Sequence, residues 1–422
     1  MSAARRLAGL PADVAHAKAY TAGAHRLRSP EETYARFAPL ARRMGVTRVG
    51  VITGLDTLGI PVCFAARPNS RSIAVFQGKG LTLAAAKTSA FMEACETFHA
   101  ETVLQPCRMA RARDLEAAGF DCVWRGLALD RAFDADQPIP WIAARDVVTG
   151  AEALVPLEVV SADYTPAAGD RAGRFFEAHT NGLASGNSVA EALAHGLYEL
   201  VERDAVSLWR VRGGHREPSL DLAAIRDPGC RWLLERFAAA GVAVRLWDAT
   251  SDVGLPAYLC LATDMAATAT DPEIGAGCHP SPAVAMTRAL TEAAQARTTW
   301  IAGARDDFAP ALYEEAARTH RRRASRLWME GPASAPPDAR PDLSTDSVAG
   351  DLEVAVDRLA CAGIGRVLYV DLTRADLGLP VVRAIAPGLE SPLTGEEPGR
   401  PGGERAARER LRAGPPGGGA GA

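Results

Sequence analysis

Apolar and polar positions along the chain fall into two alternating kinds of text. From Thr47 the stretches TRVGVIT, PVCFAAR and SIAVFQ read as short strands, the first two separated by TGLDTLGI, a turn rich in Gly and Asp. The same arrangement returns at 244–261 (VRLWDATSDVGLPAYLCL) and at 366–384 (RVLYVDLTRADLGLPVVRA). Each is an apolar strand, a Thr/Asp turn, a Gly-Ile/Leu-Pro step and a second apolar strand. WIAARDVVTGAEALVPLEVV is a further hairpin, turning at Thr149-Gly150. Helical spacing marks ADVAHAKAY and PEETYARFAPLARRM near the N-terminus, with Ser29-Pro30-Glu31-Glu32 as a helix start. It also marks MARARDLEAAGF, WLLERFAAAG and residues 304–330. Strands gathered into hairpins with helices packed on them predict an α+β fold with largely antiparallel sheets.

One segment is written three times: GKGLTLAAAKTSAFMEACETF from Gly78, ASGNSVAEALAHGLYELVERD from Ala184, and GCHPSPAVAMTRALTEAAQAR from Gly277. Each is expected to open in a Gly-bearing turn and run into a helix. With the starts in register and no gap, Glu93, Glu199 and Glu292 fall about fifteen residues in, and Glu96, Glu202 and Gln295 about eighteen. Residues three apart on a helix share a face.

A lone E-x-x-E on a helix is most often a solvated face. Here the acids sit among apolar neighbours, in FMEACETF and LYELVERDAV. Acids so placed need cations. An internal pair with Arg203 is one solution. Three copies in one register suit another: convergent helices making an oxygen-rich site for magnesium, which in turn holds phosphates. Lys79, Arg203, Arg288 and Arg297 would neutralise phosphate charge. His99, His179, His195 and His279 lie near these segments and read as structural; none is assigned as a base.

Composition sharpens this in one respect. The 422 residues carry a formal charge of −4, which gives no sign of nucleic-acid binding. Only Lys18, Lys79 and Lys87 are lysine, and two of them fall in the first repeat. Lys79, between two glycines, is either accidental or a compact charge for a phosphate. Eight cysteines form no C-x-x-C and read as reduced core residues of a cytosolic protein. No apolar run reaches membrane-span length, and MSAARRLAGLPADVAH has no signal-peptide apolar region. The cluster RTHRRRASR is a solvated face or a partner surface. Residues 160–180 form a long polar loop, either a lid or a connector.

At these residues the chain resembles the YcaO family, over about residues 45 to 390. The resemblance is carried by Ser89-x-x-x-Glu93-x-x-Glu96, by Asn187-x-x-x-Glu191 leading to Glu199-x-x-Glu202-Arg203-Asp204, and by Arg288-Ala-Leu-Thr-Glu292-Ala-Ala-Gln295-Ala-Arg297. It implies a YcaO-like fold of repeated hairpin and Gly-turn-helix units that binds ATP with magnesium and activates a peptide-backbone amide. Glu93, Glu96, Glu199 and Glu202 would face the metal. Ser89, Asn187, Glu191, Arg203, Gln295 and Arg297 would contact nucleotide or complete the metal shell. Arg203 joins the four acids as the catalytic set, and Lys79 and Arg288 are further ATP-contact candidates.

Attack by an internal Cys, Ser or Thr of the substrate gives an azoline, and attack by external sulfide gives a thioamide. The tail lacks the alternating prolines of azoline-forming members, and PGLESPLTGEEPGRPGGERAARER resembles YcaO proteins associated with a TfuA partner. The expectation is therefore thioamidation of a peptide or protein with a sulfide source and a TfuA-like partner, with cyclodehydration as runner-up. A non-catalytic nucleotide-binding scaffold is the reading from another class. The expected organisation is an N-terminal helical arm (1–45), a catalytic domain (46–392) and a flexible Gly/Pro/Arg-rich tail (393–422). The resemblance also implies a homodimer.

Overall fold

The computed structural model describes residues 7–11, 17–165, 174–264, 271–391 and 402–413. Residues 17–29 enter as irregular backbone, with Ala17 bridging Ser347 and Tyr20 bridging Arg26. This corrects the helical reading of the first arm segment for residues 17–20; residues 12–16 lie outside the described residues. Helix α1 (Pro30–Phe37) begins as expected, through a capping box between Ser29 and Glu32.

The first repeat unit is a three-stranded antiparallel sheet, β1 (Arg48–Val51), β2 (Val62–Ala66) and β3 (Val75–Lys79), covered by α2 (Leu83–Glu101). The chain then forms β4 (Cys107–Ala110), α3 (Ala112–Ala117), β5 (Ile139–Asp146), β6 (Glu152–Pro156) and β7 (Leu183–Ser185). MARARDLEAAGF is thus a strand and a short helix, ending before Gly119 at φ +83°. Helix α4 (Val189–Val211) carries the second motif. After it come β8 (Ser219–Leu220), α5 (Pro228–Ala239), and the antiparallel β9 (Val242–Asp248), β10 (Ala257–Asp264) and β11 (Glu273–Cys278), which α6 (Pro282–Ala302) covers. The chain closes with α7 (Glu315–Met329), β12 (Ala333–Ala335), α8 (Val348–Cys361), β13 (Leu368–Asp371), β14 (Val381–Ile385) and α9 (Glu404–Ala413). A six-stranded sheet runs β4-β5-β13-β14-β7 with β6 on β5; among the described strands only the β8–β12 pair is parallel.

Of the repeat glycines, Gly78 and Gly277 sit in strands rather than in turns, while Gly80 and Gly186 follow the ends of β3 and β7. Gly78 on β3 and Gly277 on β11 lie flat on their own helices: a Cβ would come 2.0 Å from Ala90 N and 2.1 Å from Ala285 O. Each strand can therefore approach its helix closely enough to hand over backbone amides. The helices also bridge units. α2 contacts β7, α4 contacts β11, and α6 contacts β3, which brings the three motif faces together.

Two expected solvent features are tethered. On α7, Arg318, Arg321 and Arg322 converge on buried Asp271, because a buried carboxylate needs cations more than water can supply there. In the tail, α9 is a docked helix, with Ala406 fully buried and Arg405 nearly so. Both correct the reading from composition. Residues 392–401 and 414–422 lie outside the described residues.

Candidate functional site

The three units enclose a cavity of about 1190 Å³. Glu93 and Glu96 from α2, Glu199 and Arg203 from α4, and Arg288, Glu292 and Gln295 from α6 line it, with Lys79 from β3. Of the expected site residues, Ser89, Asn187 and Glu191 also line it.

The acids are held by amides of the strands. Glu96 Oε1 accepts from Ser185 N–H (2.9 Å) and its hydroxyl (2.6 Å). Glu199 Oε2 accepts from Gly182 N–H (3.0 Å), and Glu202 Oε2 from Cys278 N–H (2.9 Å). Glu202 Oε1 has no hydrogen bond among the described residues. Burial and mutual repulsion follow: Glu93 is pushed up to about 7 and Glu96 to about 8, in each case mainly by desolvation, with neighbouring acid charge adding. Burial also raises Glu202.

Glu202 departs from the expected metal-facing position. It is 1% exposed and does not line the cavity. It lies beside Arg203 Nη2 (3.3 Å to Oε1) and Arg288 Nη2 (3.8 Å to Oε2), both of which belong to lining residues. Arg297 is placed elsewhere altogether. Buried at 2% exposure, it pairs with Asp56 at 3.1 Å and is not among the cavity-lining residues, because Asp56 is itself buried and takes its charge.

Lys79 Nζ reaches Glu292 Oε2 at 2.6 Å. Burial works against the Glu292 charge, but Lys79 and Arg203 outweigh it and bring the carboxyl down to about 2. Glu292 was visible in the repeat register but was not assigned a role. Gln295 donates to Gln77 O at 3.0 Å. Glu191 is buried and ties two segments: Oε2 accepts Leu27 N–H (2.7 Å) and Oε1 accepts Asn187 N–H (3.1 Å). Asn187 Oδ1 is left without a partner among the described residues.

Sequence reasoning missed the arm. Tyr20, His25, Arg26 and Arg28, from the expected N-terminal helical arm, line the cavity. Lys18 anchors the arm, 2.6 Å from Asp351 and 3.0 Å from His25 Nδ1. His25, His279 and Asp351 group within 4.8 Å, and Lys18 already supplies their cation. His195, a half-buried cavity residue near Arg26, Arg288 and Lys79, is held well below the usual imidazole range, mainly by desolvation.

The donor set fits a divalent cation. Glu93, Glu96 and Glu199 line one cavity, burial raises Glu93 and Glu96 where magnesium would instead supply charge, and behind them Glu202 Oε1 is a buried oxygen without a hydrogen bond. The flanking Lys79, Arg203, Arg288, Arg26 and Arg28 suit phosphate oxygens.

An α+β scaffold whose repeated helices present acids and cations to one cavity is the architecture of a metal-dependent nucleotide site. Residues 77–390 match the family model described as YcaO cyclodehydratase, ATP- and Mg2+-binding. The chain belongs to the YcaO family, and ATP and Mg2+ are the family's ligands. It is 37% identical over 407 residues to an uncharacterized protein in the tfuA 3′ region of Rhizobium leguminosarum bv. trifolii, covering 94% of this chain and 96% of that protein. It is 39% identical to an uncharacterized protein of Methanothermobacter thermautotrophicus, covering 86% and 94%. The YcaO structure from Methanopyrus kandleri bound with AMPPCP and Mg2+ superposes with a TM-score of 0.70 at 26% identity, covering 88% of this chain and 94% of that one. A heterocyclase in complex with substrate and cofactor shares the fold, with a TM-score of 0.74 at 22% identity; this chain covers 92% of itself and 55% of the heterocyclase. No helix among the described residues is long and apolar enough to cross a membrane.

Proposed function

We propose that this chain uses ATP to phosphorylate a peptide-backbone amide oxygen for thioamide formation, with a sulfide donor and a TfuA-like partner. The observation that carries this is the single cavity in which Glu93, Glu96 and Glu199 meet Lys79, Arg203 and Arg288. No cysteine lines it, and burial holds the nearby Cys278 thiol well above its usual range. The site is thus built for positioning and charge neutralisation rather than for a protein nucleophile.

Glu93, Glu96 and Glu199 would hold Mg2+, and the buried Glu202 behind them would set the position of Arg203 and Arg288. When bound, the metal neutralises phosphate charge and aligns the γ-phosphoryl group. Lys79, Arg203 and Arg288 orient the remaining phosphate oxygens, and Ser89, Asn187, Glu191 and Gln295 shape the nucleotide's seat. Hydrosulfide adds to the amide carbon, and the carbonyl π pair moves to oxygen. That oxygen takes the γ-phosphoryl group from ATP, and the C–O bond then breaks to release phosphate. Amide, HS− and ATP become thioamide, ADP and hydrogen phosphate.

The tfuA-region relative supports the sulfide reading. The cyclodehydratase description of the family supports a second, azoline formation, in which a substrate Cys, Ser or Thr replaces hydrosulfide. Intact-mass analysis of peptides incubated with the protein, MgATP, sulfide and a TfuA-type partner separates them. Exchange of one oxygen for sulfur is the expected result. Loss of one water establishes the azoline reaction instead. No ATP consumption with any peptide and partner returns the chain to a scaffold role.

A further inference from the structure

Arg383 lies on β14, 2% exposed, and its Nη2 donates to both His179 O (2.7 Å) and His179 Nδ1 (3.2 Å). A guanidinium has donors and no acceptor. A hydrogen bond there needs Nδ1 to offer its lone pair, which would leave the imidazole proton of the neutral ring on Nε2. His179 lines the cavity, and Nε2 has no hydrogen bond among the described residues. The ring is neutral, since burial first and Arg383 second bring it down to about 3, against a hydrogen bond to its own backbone that raises it. Three residues on, Gly182 N–H holds Glu199, so this loop stands over the acid cluster.

The two regions of the cavity differ in charge. Around His195 act Arg26, Arg288 and Lys79. On His179, Arg383 is the one cation acting; the lining Tyr164, Thr180 and Asn181 are neutral, and Glu199, held by Gly182 N–H, borders them. Tyr164 Oη has no partner among the described residues. The region rich in cations suits phosphates, and the region with neutral donors beside the acids suits a polypeptide backbone.

We propose that His179 is a catalytic residue whose Nε2–H donates a hydrogen bond to the oxygen of the amide being activated, with Arg383 as the positioning residue that fixes the tautomer. This rests on the amide-activation reading and holds equally for sulfide or internal nucleophiles, since both load negative charge on the same oxygen. The bond strengthens as that charge develops, so it acts on the chemical step.

His179→Phe, His179→Gln, Arg383→Met and Arg383→Lys test it, using ATP-dependent phosphate release with a peptide the wild type modifies. Loss of one oxyanion donor lowers kcat about 10²- to 10³-fold. His179→Phe should show this with the KM for ATP and the unfolding midpoint unchanged. His179→Gln, which keeps an N–H near Nε2, should recover part of the rate, and Arg383→Lys should exceed Arg383→Met. Imidazole 15N NMR of the free protein should show Nδ1 bare and Nε2 protonated, a readout that does not depend on turnover. Wild-type kcat in His179→Phe overturns the proposal. So does a raised KM for ATP at unchanged kcat, which would assign the donor to the nucleotide, or a protonated Nδ1 in the wild type. If the wild type releases no phosphate with any amide, the underlying reading fails, and the role at the amide oxygen fails with it, even where the NMR confirms the tautomer.

Discussion

Arg405 closes a two-pronged ion pair on Asp204: Nε to Oδ1 at 2.8 Å and Nη2 to Oδ2 at 2.9 Å. Asp204 is fully buried on α4, two residues beyond Glu202. Glu390 completes the dock by accepting from Gly403 and Ala406 N–H at the start of α9. The tail helix thereby braces the helix that carries Glu199, Glu202 and Arg203. Removing one partner of a buried pair costs about 3–5 kcal/mol. Arg405→Met should lose that much in urea unfolding, and an Arg405→Met, Asp204→Leu double variant should lose less than the single one.

The acid cluster sets a pH signature. Glu93 (about 7) and Glu96 (about 8) hold protons more tightly folded than unfolded, where their value is near 4.5. Their contribution is fully present below the unfolded value and is lost as pH rises through the folded ones. Glu292, at about 2, runs the other way, stabilising above its unfolded value and losing this as pH falls. Thermal melts of the metal-free protein should therefore drop between about pH 5 and about pH 8. Added Mg2+ should flatten that fall, and Glu93→Gln with Glu96→Gln should flatten it without metal.

Arg297 and Lys79 separate structure from binding. Arg297→Met should cost about 3–5 kcal/mol of stability, as a broken buried pair, while leaving the KM for ATP unchanged in the folded fraction. Lys79→Met should instead weaken ATP binding about 10- to 100-fold, the worth of one charge-assisted hydrogen bond, and should also lose part of the stability that Glu292 supplies above its unfolded value.

Glu202→Gln keeps the size of the side chain and its acceptor for Cys278 N–H but removes the charge beside Arg203 and Arg288. ATP turnover should be abolished while circular dichroism and the unfolding midpoint remain those of the wild type. Retained turnover would remove Glu202 from the site.

The hairpins and motif helices were legible because their signals are local: strand text, turn residues, and acids repeated in one register. What was not legible depends on partners far along the chain. Asp56, which takes Arg297 out of the expected nucleotide site, is 241 residues away. The tail's Gly/Pro composition hides a helix that orders only because Asp204 and Glu390 receive it. The arm's place on the cavity is set by Glu191 and Asp351, and nothing in its own text announces either contact. Gly78 and Gly277 looked like turn residues because a sequence does not show how closely a strand lies on its helix.

The central claim is that the amide oxygen leaves as phosphate. A peptide carrying oxygen-18 at the modified backbone carbonyl, turned over with MgATP, tests it by mass spectrometry of the released phosphate. One labelled oxygen per phosphate is the expected result for either nucleophile. Unlabelled phosphate, with the label in water or kept in the product, would contradict amide activation by phosphoryl transfer.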